Sequence, residues 1–245
     1  DGGEIVGGTN PNDENSKGAI PQPLLYLDFE EEAVDLSGNA HDGEVDGDVT
    51  FDVEGAESGP TPTTGASFNG GHLDFPGIDM NSMIRDFADG SYTFSCWLKP
   101  IGSAGGQGFI WGQTQQGIHN GIRNGGFLHS AHWGADWNAS TVLEAEQWAH
   151  AAWVYDGQSD TATIYLNGQV DGGPQAQRAP NGGGTFILGG RNNGELSFNG
   201  YLDDVTIWTE ALPEGTILAL ADGASPIGAS QEDEDEDGLP DSWEE

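Results

Sequence analysis

Acidic residues near the end of the chain are spaced like the ligands of a calcium-binding loop. The segment DEDEDGLPDSWE, residues 233–244, fits the pattern D-x-[DN]-x-[DN]-G-x5-E without a mismatch. Gly238 falls where such a loop needs a sharp turn. The pattern assigns oxygen ligands for Ca²⁺ to Asp233, Asp235, Asp237, Leu239, Asp241 and Glu244. The alternative is a solvated acidic tail, because low-complexity acidic runs match several of the Asp positions by composition alone.

A second group, between residues 107 and 140, combines aromatic, histidine and arginine side chains. An indole ring stacks on the apolar face of a sugar, while arginine and histidine donate hydrogen bonds to its hydroxyls. We therefore predict a ligand-binding face for a glycan or polysaccharide, formed by Trp111, His119, Arg123, His132, Trp133 and Trp137. For Trp111 and Trp133 the alternative is a place in the core, because large sandwiches bury aromatic side chains.

The elements that must position these residues are short strands. From Leu24 onward, apolar runs are separated by clusters of Gly, Asn and Asp, a pattern typical of an antiparallel sandwich or jelly roll. Residues 92–98 alternate, which predicts that Tyr92, Phe94, Cys96 and Leu98 share one face. The pair Asn167-Gly168 predicts a two-residue hairpin turn. The single cysteine, Cys96, is expected to behave as a small buried hydrophobe.

One segment, LPEGTILALADG at residues 212–223, has a helical pattern, and we expect it to pack against the end of the sandwich. The predicted fold class is all-β, an antiparallel two-sheet jelly-roll sandwich with one short helix near the C-terminal end. The predicted organisation is a linker or arm at 1–23, the jelly roll at 24–223 and an acidic calcium-loop tail at 224–245.

The order of these segments resembles the laminin-G-like or concanavalin-A-like lectin/glucanase family. The resemblance is carried by LYLDFEEEAVDLSGNAHDGEV, ASFNGGHLDF, SYTFSCWLKP, QWAHAAWVYDGQSDTATIYLNGQV and FILGGRNNGELSFNGYLDDVTIW. It implies a jelly roll, and members include carbohydrate-binding modules, adhesins, matrix modules and some glycosidases. The tail resembles EF-hand-like loops of thrombospondin type 3 repeats, although the flanking helices of an EF-hand are missing.

The family resemblance also implies a structural Ca²⁺ where the first strand meets the last. The matching positions are Asp28, Glu30, Asn39, His41 and Asp203, with Asn39 and His41 contributing backbone carbonyls. Oxygen donors from distant parts of a chain can hold Ca²⁺ and tie the ends of a sandwich together. Asp35, in the same DLSGN segment, is interpreted instead as a turn cap.

Catalytic motifs are not recognisable in the sequence. Glu144 and Glu146 lack the third acid of the Glu-x-Asp-x-x-Glu strand that the family's glucanases imply, and Asp203 and Asp204 alternate across a strand. A nucleophile elbow and an HExxH pair are also missing. We therefore expect no enzymatic activity, and a glycoside hydrolase with an unrecognised acid pair is the less favoured alternative.

The charge of the chain restricts its partners. Six Lys and Arg against 41 Asp and Glu give a net charge of −35, and the basic residues are scattered along the sequence. Nucleic acids are repelled by such a surface, and no apolar run is long enough for membrane insertion. The expected function is that of a secreted or cell-surface, calcium-binding carbohydrate-binding or adhesion module. The alternative is a structural subunit that joins neighbouring copies or following calcium repeats into a calcium-stabilised fibre or surface layer.

Overall fold

The computed structural model describes residues 20–60, 64–80, 90–101, 108–115, 117–191 and 196–227. The strands in these ranges are β1 (Leu25–Leu27), β2 (Glu44–Asp46), β3 (Val49–Glu54), β4 (Thr64–Asn69), β5 (His72–Asp79), β6 (Tyr92–Pro100), β7 (Gly108–Gln113), β8 (His119–Arg123), β9 (Phe127–Ala131), β10 (Asp136–Val142), β11 (Ala149–Asp156), β12 (Thr161–Leu166), β13 (Gln169–Ala176), β14 (Thr185–Leu188) and β15 (Asn199–Trp208). A helix, α1 (Glu214–Ala221), follows the last of these strands.

The described strands form two antiparallel sheets. The eight-stranded sheet has the order β13-β12-β11-β6-β15-β4-β3, with β1 paired to β15. The seven-stranded sheet has the order β10-β9-β8-β7-β14-β5-β2. The predicted fold class, an antiparallel two-sheet sandwich of the jelly-roll type with one short helix near its C-terminal end, is confirmed.

Strand β6 shows why the sheets face each other. Its alternating residues Tyr92, Phe94, Cys96 and Leu98 all belong to the buried cluster between the sheets, as the period-2 pattern predicts. Burial raises the pKa of the Cys96 thiol far above its usual range, so the side chain behaves as a small hydrophobe. On the other side of β6, Ser95 lies within hydrogen-bond distance of His150.

The turn between β12 and β13 follows directly from its sequence. Asn167 and Gly168 have φ angles of 49° and 77°, the left-handed conformations that a type I′ hairpin turn requires at both central positions. Asn167 also accepts a hydrogen bond from the backbone N–H of His150 through its side-chain oxygen. The predicted hairpin is therefore present and is fixed to the neighbouring strand β11.

Helix α1 packs on the outer face of the eight-stranded sheet, not at the end of the sandwich as the sequence suggested. Its buried residues Ile217 and Leu220 join a second apolar cluster with Ala152, Tyr165 and Trp208. The reason is that the outward side of β11, β12 and β15 carries apolar residues, which need a cover. Trp208 also donates through its indole N–H to the carbonyl of Pro21, which fixes the described start of the chain.

Two predicted features fall outside the described residues: positions 1–19 of the arm and the whole calcium loop at 233–244. Among the described residues, no helix has the length and apolar character required to cross a membrane.

Candidate functional site

Four consecutive strands of the seven-stranded sheet, β7 to β10, carry a polar and aromatic face on their outward side. Their inward residues, such as Trp111, Ile122 and Leu128, lie in the core, so the alternate residues point away from it. Two further residues reach this face from the segments beside it. We call the set the β7–β10 face, and it consists of Phe109, His119, Arg123, His129, Trp133, Asp136 and Arg191.

Three hydrogen-bonding atoms converge at the centre of this face. Nε2 of His119 and Nε2 of His129 lie 3.6 Å and 3.9 Å from Oδ2 of Asp136. The ligand atoms of all three residues lie within 4.8 Å of one another. Strands β8, β9 and β10 each contribute one of the groups, so adjacent rigid strands fix their spacing.

The hydrogen bonds behind the two imidazole rings set their tautomers. Nδ1 of His119 lies 2.8 Å from the carbonyl oxygen of Gly117, and Nδ1 of His129 lies 2.8 Å from the amide oxygen of Asn138. Because both partners are acceptors, each Nδ1 carries the proton and each neutral ring presents Nε2 as an acceptor. The centre of the face is therefore rich in acceptors.

Both histidines favour the neutral form. Burial lowers the pKa of His129 to about 4, opposed by its bond to Asn138 and aided by the charge of Arg123. Burial also lowers the pKa of His119, against the effects of Gly117 and Asp136, while the charge of Arg191 lowers it further. At neutral pH the two rings are thus uncharged acceptors at Nε2, and their side chains are 4% and 2% exposed.

Two guanidinium groups supply the donors and the charge on this face. Nη1 of Arg123 lies 3.5 Å from His129 Nε2 and 3.6 Å from Asp136 Oδ2. The guanidinium carbons of Arg123 and Arg191 lie 5.5 Å and 4.8 Å from the ring centroid of Phe109. Phe109 is buried beneath them and serves as an apolar floor.

Trp133 gives the face its exposed aromatic ring. Its side chain is 39% exposed, its ring meets that of His119 edge to face at 5.8 Å, and the Arg191 guanidinium lies 5.7 Å from its centroid. An indole held by two neighbours while a large part of it stays in solvent can pack against the apolar face of a ligand.

A glycine in β8 allows the floor to form. A Cβ added to Gly121 would overlap the carbonyl oxygen of Gly108 and lie 2.7 Å from Cα of Phe109. The pairing of β7 with β8 shifts register between Phe109 and Trp111, which turns these two side chains to opposite faces. Gly121 therefore lets the irregular strand approach closely enough for Phe109 to lie under both arginines.

The group of His119, His129 and Asp136 also has the composition of a metal site. Neutral imidazoles with fixed tautomers and a carboxylate are suitable ligands for a transition metal. However, the Arg123 guanidinium lies within 3.6 Å of two of the three ligand atoms. This positive charge opposes a cation and makes the site better suited to neutral or anionic ligands.

Of the six residues predicted for the ligand-binding face, His119, Arg123 and Trp133 lie on it. Trp111 does not, and this corrects the prediction in favour of its core interpretation. Its side chain is fully buried, and its ring stacks on Phe94 at 4.7 Å and meets Tyr92 edge to face at 5.2 Å. The inward direction of Trp111 follows from its position in β7, on the opposite side from Phe109.

His132 and Trp137 also turn inward, which is a second correction. His132 is fully buried, with Nε2 2.7 Å from the Tyr92 hydroxyl and Nδ1 2.7 Å from the Arg178 carbonyl. Trp137 packs against the core and donates its indole N–H to Gln177, because it alternates along β10 with the outward residue Asp136.

Four residues of the site, Phe109, His129, Asp136 and Arg191, are not in the predicted set. Asp136 stands immediately before Trp137, so a correct assignment of the strand's two faces would have identified it. Arg191 follows β14 and lies at least 55 residues along the chain from every other member of the face. The pairing of β14 with β7 brings Arg191 here, and no local pattern signals that pairing.

The predicted calcium set of the sandwich divides into two places. Asp203 is fully buried and accepts hydrogen bonds from the backbone N–H groups of Ala56 and Asp204. Glu30 is close enough to affect its ionisation, and Glu30 itself accepts from the backbone N–H of Thr64. The carboxylates of Glu30 and Asp203 are thus neighbours beyond the end of β1.

The other members of that set have different surroundings. Asp28 is half-buried, and burial raises the pKa of its carboxyl, with a smaller raising effect from Glu30. The side chain of Asn39 donates to the carbonyls of Pro23 and Leu24, before β1. The N–H of His41 donates to Asp35. If the sandwich binds Ca²⁺ internally, the described contacts therefore favour a site centred on Glu30 and Asp203, with Asp28 nearby.

Asp35 has the capping role that the sequence indicated. One of its carboxylate oxygens accepts from the N–H groups of Tyr26 and Ser37, and the other accepts from the Ser37 hydroxyl and the His41 N–H. All four donors that this buried carboxylate meets are uncharged groups of its own turn and of β1.

A further acidic group lies at the edge of the seven-stranded sheet. Nε2 of His72 is buried and lies 3.8 Å from Asp46 Oδ2 and 3.5 Å from Asp74 Oδ2. His72 and Asp74 are alternate residues of β5, and Asp46 lies opposite His72 on β2. This group is separate from the β7–β10 face, with β14 between them in the sheet.

Comparison with known families agrees with this architecture. The Laminin_G_3 model, described as the concanavalin A-like lectin/glucanases superfamily, matches residues 69–218, more than half of the chain. The chain belongs to this superfamily. The match includes every residue of the β7–β10 face. A comparison with curated protein sequences finds no match.

Several solved structures share the fold of this superfamily member. Domain 4 of AbnA, a GH43 extracellular arabinanase from Geobacillus stearothermophilus in complex with arabinotriose, has 19% identity and a TM-score of 0.60, covering 82% of this chain and 98% of that one. The binding domain of Paraclostridial Mosquitocidal Protein 1 has 18% identity and a TM-score of 0.60, and the match covers 82% of this chain and 52% of that one. Trypanosoma rangeli sialidase has 16% identity and a TM-score of 0.60, covering 89% and 35%. These similarities concern the fold.

Proposed function

We propose that the protein is a non-catalytic carbohydrate-binding module whose ligand lies on the β7–β10 face. The observation that carries this proposal is the convergence of three acceptors, His119 Nε2, His129 Nε2 and Asp136 Oδ2, within 4.8 Å of one another. A sugar hydroxyl both donates and accepts, so it can donate to these acceptors while its oxygen accepts from the Arg123 guanidinium. Trp133 beside them offers the apolar contact that a pyranose or furanose ring needs.

A cavity on the other sheet is a less suitable place for a sugar. It has a volume of about 220 Å³ and is lined by Trp97, Lys99 and Trp148. Three glutamates, one serine and Gly55 complete the lining. The ammonium of Lys99 already lies 4.9 Å from the Trp148 ring centroid and 4.6 Å from that of Tyr201. The cation thus already occupies one face of each ring, which leaves less of either ring for a sugar to stack on.

The comparisons support the same proposal. The chain belongs to a superfamily of lectin and glucanase domains, and it spans nearly the whole of the arabinanase domain that binds arabinotriose. At 19% identity the ligand of that domain does not transfer to this chain by similarity. The proposal therefore rests on the acceptors, donors and ring of the β7–β10 face.

Trp133→Ala is expected to weaken glycan binding at least about tenfold, because a central aromatic contact contributes about 1.4 kcal/mol or more to a binding site. The measurement is a glycan array followed by titration calorimetry on the best ligand. Trp148→Ala is the matched control, since it removes a partly exposed indole from the opposite sheet. Equal affinities for the wild type and Trp133→Ala, or a loss confined to Trp148→Ala, would move the site away from the β7–β10 face.

We also propose that Ca²⁺ is a structural cofactor of a secreted or cell-surface protein, bound by the C-terminal loop and near Asp203. The loop pattern at 233–244 and the acidic surface support this role. The alternative assembly function, a calcium-stabilised fibre or surface layer, uses the same ions to join copies. Calcium-dependent growth of particle size in solution, without affinity for any glycan, would favour assembly over carbohydrate recognition.

Glu244→Gln is expected to abolish one class of calcium sites, with a dissociation constant of about 10⁻⁴ to 10⁻³ M, since position 12 supplies two oxygens to the ion. Calorimetry with the full chain measures this. Glu245→Gln removes the same charge one residue later and should leave the site intact. If both variants reduce calcium binding equally, the tail acts only through its net charge.

We expect no hydrolysis of the bound glycan. Asp46 and Asp74 form a carboxylate pair whose oxygens lie within 4.8 Å of one another, close to the spacing of a retaining glycosidase dyad. This pair lies away from the β7–β10 face, and Asp46 is largely exposed. Release of reducing sugars that disappears in Asp46→Asn or Asp74→Asn would establish catalysis at this pair and replace our proposal.

A further inference from the structure

The proposed carbohydrate site does not use the group of Asp46, His72 and Asp74 at the edge of the seven-stranded sheet. Asp46 and His72 lie directly opposite one another in the antiparallel pairing of β2 with β5, and Asp74 follows His72 by two residues. Leu73 between them lies in the core, so His72 and Asp74 share the outward side of β5. Two neighbouring strands therefore place one imidazole and two carboxylates on the same surface.

The imidazole of His72 has a buried nitrogen whose hydrogen-bonding capacity is not used. The side chain is 6% exposed, and Nε2 has no hydrogen-bond partner in the part of the chain that the structure describes. Nε2 faces the two carboxylates, at 3.5 Å from Asp74 Oδ2 and 3.8 Å from Asp46 Oδ2. These separations exceed the roughly 2.7 to 3.2 Å of an N–H···O hydrogen bond. Because a buried polar atom without a partner is rare, it points to an occupant between these atoms.

The spacing of the three ligand atoms suits a small metal ion. All three lie within 4.8 Å of one another. Two bonds of about 2.0 to 2.2 Å at a tetrahedral angle separate their ligand atoms by about 3.3 to 3.6 Å. The 3.5 Å between His72 and Asp74 falls in this range. The 3.8 Å to Asp46 needs only a small rotation of a side chain that is 71% exposed.

The charge of this group also favours a cation. Within the described ranges, the ion pairs of Asp46 and Asp74 are both with His72, and neither carboxylate pairs with a lysine or arginine. On the β7–β10 face, in contrast, the Arg123 guanidinium lies within 3.6 Å of two ligand atoms. Two carboxylates and the neutral imidazole that a metal requires carry a charge of −2, which a divalent ion neutralises.

We propose that Asp46, His72 and Asp74 bind a divalent transition metal, represented by Zn²⁺, with water in the fourth position. An imidazole nitrogen favours such a metal, whereas Ca²⁺ takes oxygen ligands, so this site differs in chemistry from the calcium sites proposed above. The inference does not depend on the carbohydrate-binding proposal, because β14 separates this group from the β7–β10 face.

The bound ion joins the edge of the sheet to its neighbour. Strand β2 is three residues long, all of them exposed, and it lies at the end of the sheet next to β5. An ion held by Asp46 of β2 and by His72 and Asp74 of β5 links the two strands through their side chains. Because the unfolded chain does not bring these ligands together, the ion stabilises the folded protein.

The test uses the full chain in buffer with a fixed excess of Ca²⁺, so that sites made of oxygen ligands are occupied before Zn²⁺ is added. Calorimetry is expected to show one Zn²⁺ site, and Zn²⁺ is expected to raise the melting temperature. Nitrogen NMR of the histidine rings locates the ion: Zn²⁺, and not Ca²⁺, should shift the ring signals of His72. The absence of those signals from His72→Gln assigns them.

Carboxylate variants then test the other two ligands. Asp46→Asn and Asp74→Asn are each expected to weaken Zn²⁺ binding at least about tenfold, since even the partners behind metal ligands typically contribute that much. Asp52→Asn is the matched control, because it removes the same charge from an exposed position on β3, where asparagine tolerates the φ of 65°. Thermal melts without metal show whether each variant is folded.

Three results would overturn the inference. The first is that the wild type binds no Zn²⁺ under these conditions. The second is that Asp52→Asn weakens binding as much as Asp46→Asn does, which would mean that the acidic surface as a whole attracts the ion. The third is that Zn²⁺ shifts the ring signals of His119 and His129 and leaves those of His72 unchanged, which would place the ion on the β7–β10 face.

Discussion

Trp111→Ala is expected to lower the free energy of unfolding by about 3 to 5 kcal/mol, the usual cost of removing a large aromatic side chain from a close-packed core. Trp111 is fully buried, and its ring contacts Phe94 and Tyr92 from the facing sheet as well as Phe186 beside it. The cavity would therefore open at the contact between the two sheets. Urea denaturation followed by fluorescence and circular dichroism measures the change.

The matched variant for this experiment is Trp133→Ala. Its indole is 39% exposed and lies on the outer face, so we expect a much smaller loss of stability, about 1 kcal/mol or less. Trp111→Ala should thus reduce mainly the stability of the protein, and Trp133→Ala mainly its affinity for glycans. A variant Trp111→Ala that unfolds at the wild-type urea concentration but fails to bind glycan would return Trp111 to the ligand-binding face.

Much of the fold is readable from local patterns. The alternation in β6 assigns Tyr92 and Phe94 to the core, and Asn167-Gly168 identifies the β12–β13 turn, because each signal depends only on neighbouring residues. Helix α1 is predicted correctly as a short helix, but its packing surface is not. The outer apolar patch that it covers comes from three strands far apart in sequence, so its existence depends on the sheet order.

The candidate site is only half readable for the same reason. His119, Arg123 and Trp133 lie in one continuous stretch that is rich in functional side chains, and the composition of that stretch identifies them. Deciding which of its tryptophans faces inward requires the register of each strand. The shift between Phe109 and Trp111 reverses the simple alternation, and sequence periodicity does not reveal it.

Charge shows the difference between sequence and fold most clearly. The sequence contains few basic residues and no basic run, which predicts no surface for nucleic acids. In the fold, Arg123 from β8 and Arg191 after β14 meet over one phenylalanine ring. Contacts between residues far apart in the sequence therefore set the local charge of a surface, and the order of residues along the chain does not show them.

Asp203 gives the second large expected effect, on the pH dependence of stability. Its carboxyl is fully buried, and burial together with the charge of Asp204 raises its pKa well above the ordinary value of 3.8. At pH values between the unfolded and the folded pKa, Asp203 is therefore protonated in the folded protein and ionised in the unfolded chain. Stability is fully present below the unfolded pKa and falls as pH rises from about 4 through neutral, by at most about 1.4 kcal/mol per pH unit.

Asp203→Asn is expected to remove this slope in calcium-free buffer with a chelator, since an amide does not titrate. Chemical denaturation at several pH values between about 4 and 8 measures it for both proteins. Glu31→Gln is the control, because it removes an exposed carboxylate from the turn after β1. A wild-type slope that Asp203→Asn leaves unchanged would mean that another group causes it.

Calcium should act on the same group in the opposite direction. An ion beside Asp203 and Glu30 favours the ionised carboxylate, so saturating Ca²⁺ is expected to restore stability at neutral pH and to reduce the slope. Asp203→Asn should gain much less stability from Ca²⁺ than the wild type. Equal stabilisation of both proteins would place the ion elsewhere, and the tail variant Glu244→Gln then shows whether the C-terminal loop binds it. If chelation at fixed ionic strength leaves the melting temperature unchanged, the internal calcium site is refuted. The folded protein must lose stability when an ion bound to a buried carboxylate is removed.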